Sequence, residues 1–471
     1  MGNLPPQSRI YFLAICGTGM SALAGLLKQR GHIIAGSDVA AYPPVGDLLK
    51  NLGIPVHLDY DVEDLKQFQP NYVVVGNFVR RDNPQAQYVL ESKIPYGSFP
   101  STLESFFLET TQNLVVVGTH GKTTTTSCLA YLLKAGKADP SFLIGGVPLN
   151  FEKSFHFSDG KYFVIEGDEY DTAFFDKESK FLHYKPNMGI FTSMEWDHAD
   201  IFPTVESMEK MFRKFVHLIP EHSGALLYSS DWPRIIELVA EEKPKCEKVT
   251  FGFNSYSNHV IQDFMENEKG LAFTLDGTRF TSEMTGKFNA QNFAGAVLAA
   301  RRCGIADSEI QKGLRDFRGV KRRQEVRAII GQSLVIDDFA HHPTAVQRVL
   351  QGLRSKYPKH KIVCFFEPRS NTSRRNILQK DFESAFVDAD EIFIADVFRS
   401  EALAEEQRLD LQSIAEAHRA LGKNILAPAS ESEMISRALE LAKKNPCAFV
   451  LLSNGSFNGL HDKLISALKV Q

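Results

Sequence analysis

Charge of one sign, long apolar runs and closely spaced cysteines are all missing from this chain, and each absence removes a class of function. Lysine and arginine (53) nearly balance aspartate and glutamate (57), which leaves a net charge of -4. Non-specific grip on nucleic acid needs a basic surface, so that partner is not expected. No apolar run approaches the roughly 20 residues that a membrane-spanning helix needs. Met1–Arg9 is polar and carries proline, without the basic stretch and apolar core of a secretory signal. Cys16, Cys128, Cys246, Cys303, Cys364 and Cys447 stand far apart with no C-x-x-C pair. Free thiols in a reducing compartment are therefore expected, rather than disulfides or zinc. No internal repeat or low-complexity segment occurs. The expectation is a cytoplasmic protein of about three domains, with no nucleic-acid or membrane partner and no protein partner implied.

What is present is dominated by Leu114–Ser127, Leu-Val-Val-Val-Gly-Thr-His-Gly-Lys-Thr-Thr-Thr-Thr-Ser. A β-branched run ends at Gly118, a short loop follows, and a Lys-Thr pair opens a helix. That order makes a phosphate cradle, in which backbone N–H groups and the positive end of the helix dipole face a polyphosphate. Lys122 would reach the terminal phosphates and the Thr123 hydroxyl would hold Mg2+. The loop is shorter than the common phosphate-binding pattern, because Val116 stands where its distal glycine is expected. ATP or GTP binding is the prediction.

A second nucleotide signature lies upstream. Ile10–Ile15 reads as a buried strand, and Gly17-Thr18-Gly19-Met20-Ser21-Ala22 matches G-x-G-x-x-A. A helix is predicted from Met20 to about Arg30 with Gly31 as its cap. A strand over His32–Ser37 then leads to Asp38, near the place where dinucleotide folds carry a ribose-binding acid. Tyr72–Gly76 reads as a further buried strand. Residues 1–110 are thus predicted to form a Rossmann-like domain, which alone would suggest an NAD-linked oxidoreductase.

From the phosphate loop to about residue 320, strands are predicted over Lys161–Glu166, Asn187–Ser193 and Ala225–Tyr228, with β-hairpins in Gly252–Thr281. An Ala-rich helix over Ala290–Arg302 is expected after Asn289 and Asn292, and the charged Phe317–Arg323 reads as a hinge. Strand signals then restart at Ser333–Asp338, Lys361–Phe366, Glu391–Ala395 and Ala448–Leu452. The fold expected is α/β in three domains: Rossmann-like over 1–110, P-loop ATPase-like over 111–320 and Rossmann-like over 321–471.

Three further segments carry chemistry. Glu166, Asp168, Glu169 and Asp171 crowd a strand end, and such repulsion suggests a cation, with Glu166 as a Mg2+ ligand; a solvated acidic turn is the plainer reading. His198, flanked by Asp197 and Asp200 beyond another strand, suits a metal site. Asp337-Asp338-Phe339-Ala340-His341-His342-Pro343 lacks zinc-protease spacing and reads as a nucleotide- or substrate-facing loop.

In order along the chain, Gly17–Ser21, Gly118–Thr124, Glu166 with Asp168 and Glu169, Asp197-His198, Asn289 with Asn292, Arg323 and Asp338–His341 resemble the Mur ligase family. These are ATP-dependent amide-bond-forming enzymes of peptidoglycan synthesis, and the resemblance spans essentially the full length. It implies that Gly17, Thr18, Gly19, Met20 and Asp38 cradle a UDP-sugar diphosphate rather than NAD. It implies ATP contacts from Gly118, Thr119, His120, Gly121, Lys122, Thr123, Thr124, Asn289, Asn292, Arg323 and Asp338. Catalysis would fall to Lys122, Glu166 and His198, and metal binding to Thr123, Glu166 and His198. The C-terminal domain would close over ATP and bring the peptide, with His341, Arg369, Asn371 and Asn454 on the substrate side.

Glu367–Thr372 and Ser453–Phe457, with Phe163–Phe181, Asp197–Phe202 and Asp337–Thr344, narrow the resemblance to the branch that joins UDP-N-acetylmuramate to L-Ala-γ-D-Glu-meso-diaminopimelate. The ligase that adds free L-alanine is the alternative, and a non-catalytic nucleotide-binding regulator the alternative outside enzymes. Three positions depart from the family pattern. Ser193 replaces an Asn, Phe288 replaces a His and keeps only a stacking role, and no lysine is in register near Met211-Phe212 for carbamylation. Lys210 is expected on a solvated helix face.

Overall fold

The computed structural model describes residues 4–176, 178–199 and 201–470; Asp200, the second acid expected beside His198, lies outside them, as do Met1–Asn3 of the N-terminal segment. Three sheets follow one another along the chain. The first is wholly parallel: β1 (Arg9–Leu13), β2 (Ile33–Ser37), β3 (Val56–His57), β4 (Tyr72–Val75) and β5 (Tyr96–Ser98) lie in the order β3-β2-β1-β4-β5. Its central strands are continuous apolar runs because both faces are covered. The order reverses between β1 and β4, so a crevice opens beyond their carboxyl ends. The helix Thr18–Gln29 starts there with Gly17 as N-cap.

The central sheet is built around β6 (Gln112–Val117). β7 (Ser141–Leu143), β8 (Phe155–His156) and β9 (Tyr162–Glu166) extend it on one side. On the other lie β10 (Met188–Phe191), β11 (Ala225–Ser229), β12 (Glu247–Gly252), β13 (His259–Asn267), β14 (Gly270–Leu275) and β15 (Thr278–Ser282). The last three form the antiparallel meander expected from the polar–apolar alternation of that stretch. The helix after it begins at Lys287, capped by Gly286 at φ +99, and runs to Arg302. Asn289 and Asn292 therefore lie inside its first turns and not ahead of it; Ala content marked the helix body, but the glycine sets where it starts.

The third sheet orders β16 (Glu325–Ile330), β17 (Ser333–Asp338), β18 (Lys361–Phe366), β19 (Glu391–Ile394), β20 (Asn424–Leu426) and β21 (Cys447–Leu452) as β16-β17-β21-β18-β19-β20, with only β16 antiparallel.

The cores are not equally divided. One apolar cluster runs from the first sheet into the second, joining Ile10, Phe12 and Leu23 to Val115, Phe155 and Phe163. Gly25 permits this junction: a β-carbon there would stand 2.1 Å from the Phe155 ring. The third sheet has clusters of its own, and from the central segment only half-buried Phe288 packs against them among the described residues. Its attachment is polar, through Ser355 to Glu266 at 2.7 Å and Lys356 to the Glu283 carbonyl at 2.6 Å. The segment 317–323 crosses between sheets with Gly319 at φ +83 and Arg322 at φ +60, strapped to the central segment by Leu149 N–H on Gly319 and Lys321 N–H on Val147.

Candidate active site

The chain leaves β6 through Gly118 at φ +127 and enters the helix Lys122–Ala135 through Gly121 at φ +84. A β-carbon at Gly118 would lie 2.6 Å from the Ser193 carbonyl oxygen, and one at Gly121 would lie 2.2 Å from Asn292 Oδ1. Both glycines are demanded twice, by backbone conformation and by close approach. The loop is clamped to the segment leaving β10. Thr119 N–H donates to the Ser193 carbonyl, the Thr119 hydroxyl to the Glu195 carbonyl, and His120 N–H to Ser193 Oγ at 2.6 Å. The serine that departs from the family pattern thus braces the phosphate loop.

Lys122 Nζ donates to the Gly118 carbonyl and to Glu169 Oε1, each at 2.6 Å. Burial opposes its charge, but Glu169 beside it outweighs that and raises the Lys122 pKa, so the ammonium persists. The four crowded acids prove to be separately partnered. Glu166 accepts from the Thr123 hydroxyl at 2.8 Å and from Gly145 N–H at 2.7 Å, Asp168 meets Lys180 at 2.7 Å, and Asp171 accepts from Asn77 at 3.2 Å. Their repulsion is offset by protein groups, so crowding alone does not call for a cation. The Thr123–Glu166 pair is the exception, because two hard oxygen donors at the mouth of a phosphate loop suit Mg2+.

His198 adopts φ +55, and its Nδ1 lies 3.0 Å from the Tyr170 hydroxyl. It borders the same cavity as the Thr123–Glu166 pair. Its neighbour Asp197 is buried and accepts from the Thr372 hydroxyl at 2.8 Å, across from the third sheet. Burial works to raise the Asp197 carboxyl, but the histidines around it, His341 first, hold it well below the usual range. Arg323 reaches from the hinge to Thr123 Oγ1 at 3.4 Å and lies over the Phe339 ring. Asp338 is buried and accepts from Gln324 and Ala340 N–H, shaping the turn that carries His341. Asn289 donates to the Thr285 carbonyl and Asn292 to Asn289, so the two amides face the phosphate loop as a pair.

In the first sheet's crevice, a β-carbon on Gly17 would meet nothing closer than 3.6 Å, and one on Gly19 nothing closer than 3.4 Å. The fold itself does not require these glycines; the space before them opens to the cavity, which suits backbone approach to a ligand. Asp38 accepts from Cys16 N–H and Val39 N–H, so each oxygen already holds the turn. At the far side, Arg369 pairs with Glu367 at 3.3 Å and stacks on Phe398 at 3.9 Å, while Asn371 accepts from Arg374. Asn454 Oδ1 is buried with no hydrogen-bond partner among the described residues.

One cavity of about 1450 Å3 unites these groups, lined from all three sheets. Every site residue named from the sequence borders it except Gly118, which stands behind the loop. The sequence gives no site role to Glu195, Thr372 or Tyr170, although Thr372 ends one of the segments that narrow the resemblance. Only Glu195 carried a signal, as another acid three positions before His198.

Family profiles match in the same order. Residues 9–109 match the Mur ligase family catalytic domain, 116–300 the Mur ligase middle domain, and 322–455 the Mur ligase glutamate ligase domain. A UDP-N-acetylmuramate–L-alanyl-γ-D-glutamyl-meso-2,6-diaminoheptandioate ligase of Escherichia coli (strain K12) is 37% identical over 467 residues, 98% of each chain. The chain belongs to the Mur ligase family. This Mur ligase is therefore an enzyme, in a family of ATP-dependent amide-bond-forming ligases, and the oxidoreductase and regulator readings fall away. It is similar in structure to a murein peptide ligase from Psychrobacter arcticus 273-4, with a TM-score of 0.70, 30% identity and coverage of 98% of this chain and 99% of that one. A UDP-N-acetylmuramate–L-alanine ligase of Clostridium acetobutylicum is 30% identical over 424 residues, 89% of this chain and 88% of its own. No helix among the described residues is long and apolar enough to cross a membrane, and all six cysteines are free.

Proposed function

We propose that this Mur ligase joins the carboxylate of UDP-N-acetylmuramate to the free amine of L-alanyl-γ-D-glutamyl-meso-diaminopimelate at the expense of ATP, a step of cell-wall peptide recycling. The observation that carries the reading is the single cavity in which the G-x-G turn, the phosphate loop and the Arg369–Asn454 side of the third sheet face one another. A carboxylate is a poor acyl donor, so its oxygen attacks the γ-phosphate and ADP leaves. The peptide amine then adds to the acyl phosphate and expels phosphate through a tetrahedral intermediate.

Each protein group has a task in that sequence. The Gly17–Met20 turn takes the uridine diphosphate on a helix N-terminus. Lys122 trades its contacts with Gly118 and Glu169 for the phosphoryl oxygens, where positive charge is worth most as the transfer proceeds. Mg2+ would be held by the Thr123 hydroxyl and the Glu166 carboxylate, with His198 as a further ligand from the same cavity, and when bound it would offset phosphate charge. The paired amides of Asn289 and Asn292, with Arg323, back the nucleotide. Arg369 and Asn371 border the peptide side, and the Asn454 carbonyl oxygen, without a partner among the described residues, offers an acceptor to it.

The experiment is phosphate release with MgATP and UDP-N-acetylmuramate, comparing tripeptide with free L-alanine. Turnover on tripeptide alone supports the proposal. Turnover on L-alanine instead would transfer the chain to the other reading, which the 30% identical relative keeps in view. The peptide's distant carboxylate has its own test, because guanidinium binds carboxylate through two parallel hydrogen bonds that an ammonium does not reproduce. Arg369→Lys should lose efficiency on tripeptide more than on the dipeptide lacking the third residue. Equal loss on both leaves Arg369 as a partner of Glu367 only.

A further inference from the structure

Among the described residues, the one group of three or more histidine, cysteine or carboxylate side chains with converging ligand atoms is not at Glu166 or His198. It is His120, Glu195 and His342, whose ligand atoms all lie within 4.8 Å of one another. His120 Nε2 is 2.7 Å from Glu195 Oε2, and His342 Nδ1 is 3.5 Å from the same oxygen. The imidazole rings of His120 and His342 are 5.0 Å apart, centre to centre. Thr344 donates to the other oxygen, Glu195 Oε1, at 2.7 Å, which leaves Oε2 turned toward both rings. His342 is 3% exposed, and among the described residues neither ring nitrogen finds a hydrogen-bond partner of good geometry, Glu195 standing 3.5 Å away. An imidazole buried without a well-formed hydrogen bond carries a cost that an ion in the space it faces would relieve.

We propose that His120, Glu195 and His342 form a second metal site, for a transition-metal ion of the Zn2+ class, bridging the phosphate loop and the third domain. Two imidazoles and one carboxylate make a donor set that favours Zn2+ over Mg2+, which prefers all-oxygen shells. Tetrahedral ligation at about 2.0–2.1 Å places donor atoms roughly 3.3 Å apart. The His342–Glu195 distance of 3.5 Å is close to this, His120 would draw back from Glu195 by about half an ångström, and the two imidazoles, with ligand atoms within 4.8 Å of each other, would turn toward the ion. Thr344 supplies the outer hydrogen bond that orients a ligating carboxylate. Three protein ligands leave a fourth position for water.

The site is split between bodies. His120 lies in the phosphate loop and Glu195 beyond β10, whereas His342 is the N-cap of the helix Pro343–Lys356, past the hinge. The third domain has its own core and a largely polar attachment, and in the arrangement seen here it brings His342 to the two ligands of the central segment. A bound ion then clips the closed arrangement and slows product release, a different effect from that of Mg2+ at Thr123 and Glu166.

The test uses the full chain without nucleotide, titrated with Zn2+ against a chromophoric chelator. One equivalent is expected to bind the wild type. His342→Gln and Glu195→Gln should each weaken binding at least tenfold, His342→Cys should retain it by keeping a ligand, and Glu166→Gln should leave it unchanged. At saturating Mg2+, the ratio of turnover with and without Zn2+ should fall in the wild type and stay near one in His342→Gln. No bound equivalent, undiminished affinity in His342→Gln, or loss confined to Glu166→Gln would each overturn the site. The last of these would put the ion at the Thr123–Glu166 pair.

Discussion

Lys122 rests on its own loop carbonyls and on Glu169, so its charge is held ready inside the site rather than in solvent. Lys122→Ala should abolish ligation, because losing one preorganised phosphoryl contact costs about 3 kcal/mol or more of transition-state stabilisation. Binding of UDP-N-acetylmuramate, measured by calorimetry, should be nearly unchanged; a parallel loss would refute separate sites for the two nucleotides. His120 makes a second residue-scale prediction. Burial, reinforced by His342, pushes its pKa down to about 4 against the pull of Glu195. The folded protein keeps this ring neutral while the unfolded chain protonates it below about pH 6.5. Stability is therefore complete above pH 6.5 and is lost progressively down to about 4, by at most about 3 kcal/mol. Thermal unfolding at pH 7 and pH 4.5 should show a smaller acid shift in His120→Asn than in the wild type.

At the scale of elements, the phosphate loop works because two glycines let it press against Ser193 and Asn292. Gly118→Ala places a methyl group against the Ser193 backbone at a φ that L-residues avoid, and should destabilise by about 1–3 kcal/mol. The unfolding transition should fall and the ATP concentration for half-maximal activity rise; an unchanged ATP requirement would mean that the loop's shape does not matter. Much of this element was legible beforehand, since a β-branched run, a Gly-rich turn and Lys-Thr are local signals. The start of the helix at Lys287 was not, because composition blurs over several residues while one glycine torsion sets the boundary. The acidic cluster was legible as a cluster only. Its partners are distant in sequence, Lys122 pairing with Glu169 and the Asn77 amide donating to Asp171, and spacing along one segment holds no record of them.

At the scale of the whole molecule, the first two domains share an apolar core and the third is joined by polar contacts, so relative motion belongs to the third. The buried Thr372–Asp197 bond ties that domain to the loop carrying His198. Thr372→Val and Asp197→Asn should each lower kcat, and the double variant should be clearly less impaired than the two effects summed. The coupling expected for a hydrogen bond to a charged group is about 1–3 kcal/mol. X-ray scattering should show a more extended particle in Thr372→Val, and additive losses with unchanged dimensions would reduce the contact to incidental packing.

The order of strands, turns and helix starts determined the α/β class and the two glycine-bearing turns that open helices, because hydrophobic periodicity and glycine placement act within a few residues of themselves. The same local chemistry pointed to Lys122, Thr123 and Glu166. Which side chains meet was decided only by the tertiary structure: the brace from Ser193, the reach of Thr372 to Asp197, and the convergence of His120, Glu195 and His342. Those contacts depend on how strands are ordered within the central sheet and on how the third sheet is set against it. A hydrogen bond across a hinge is fixed by that placement, and no periodicity in the chain encodes it.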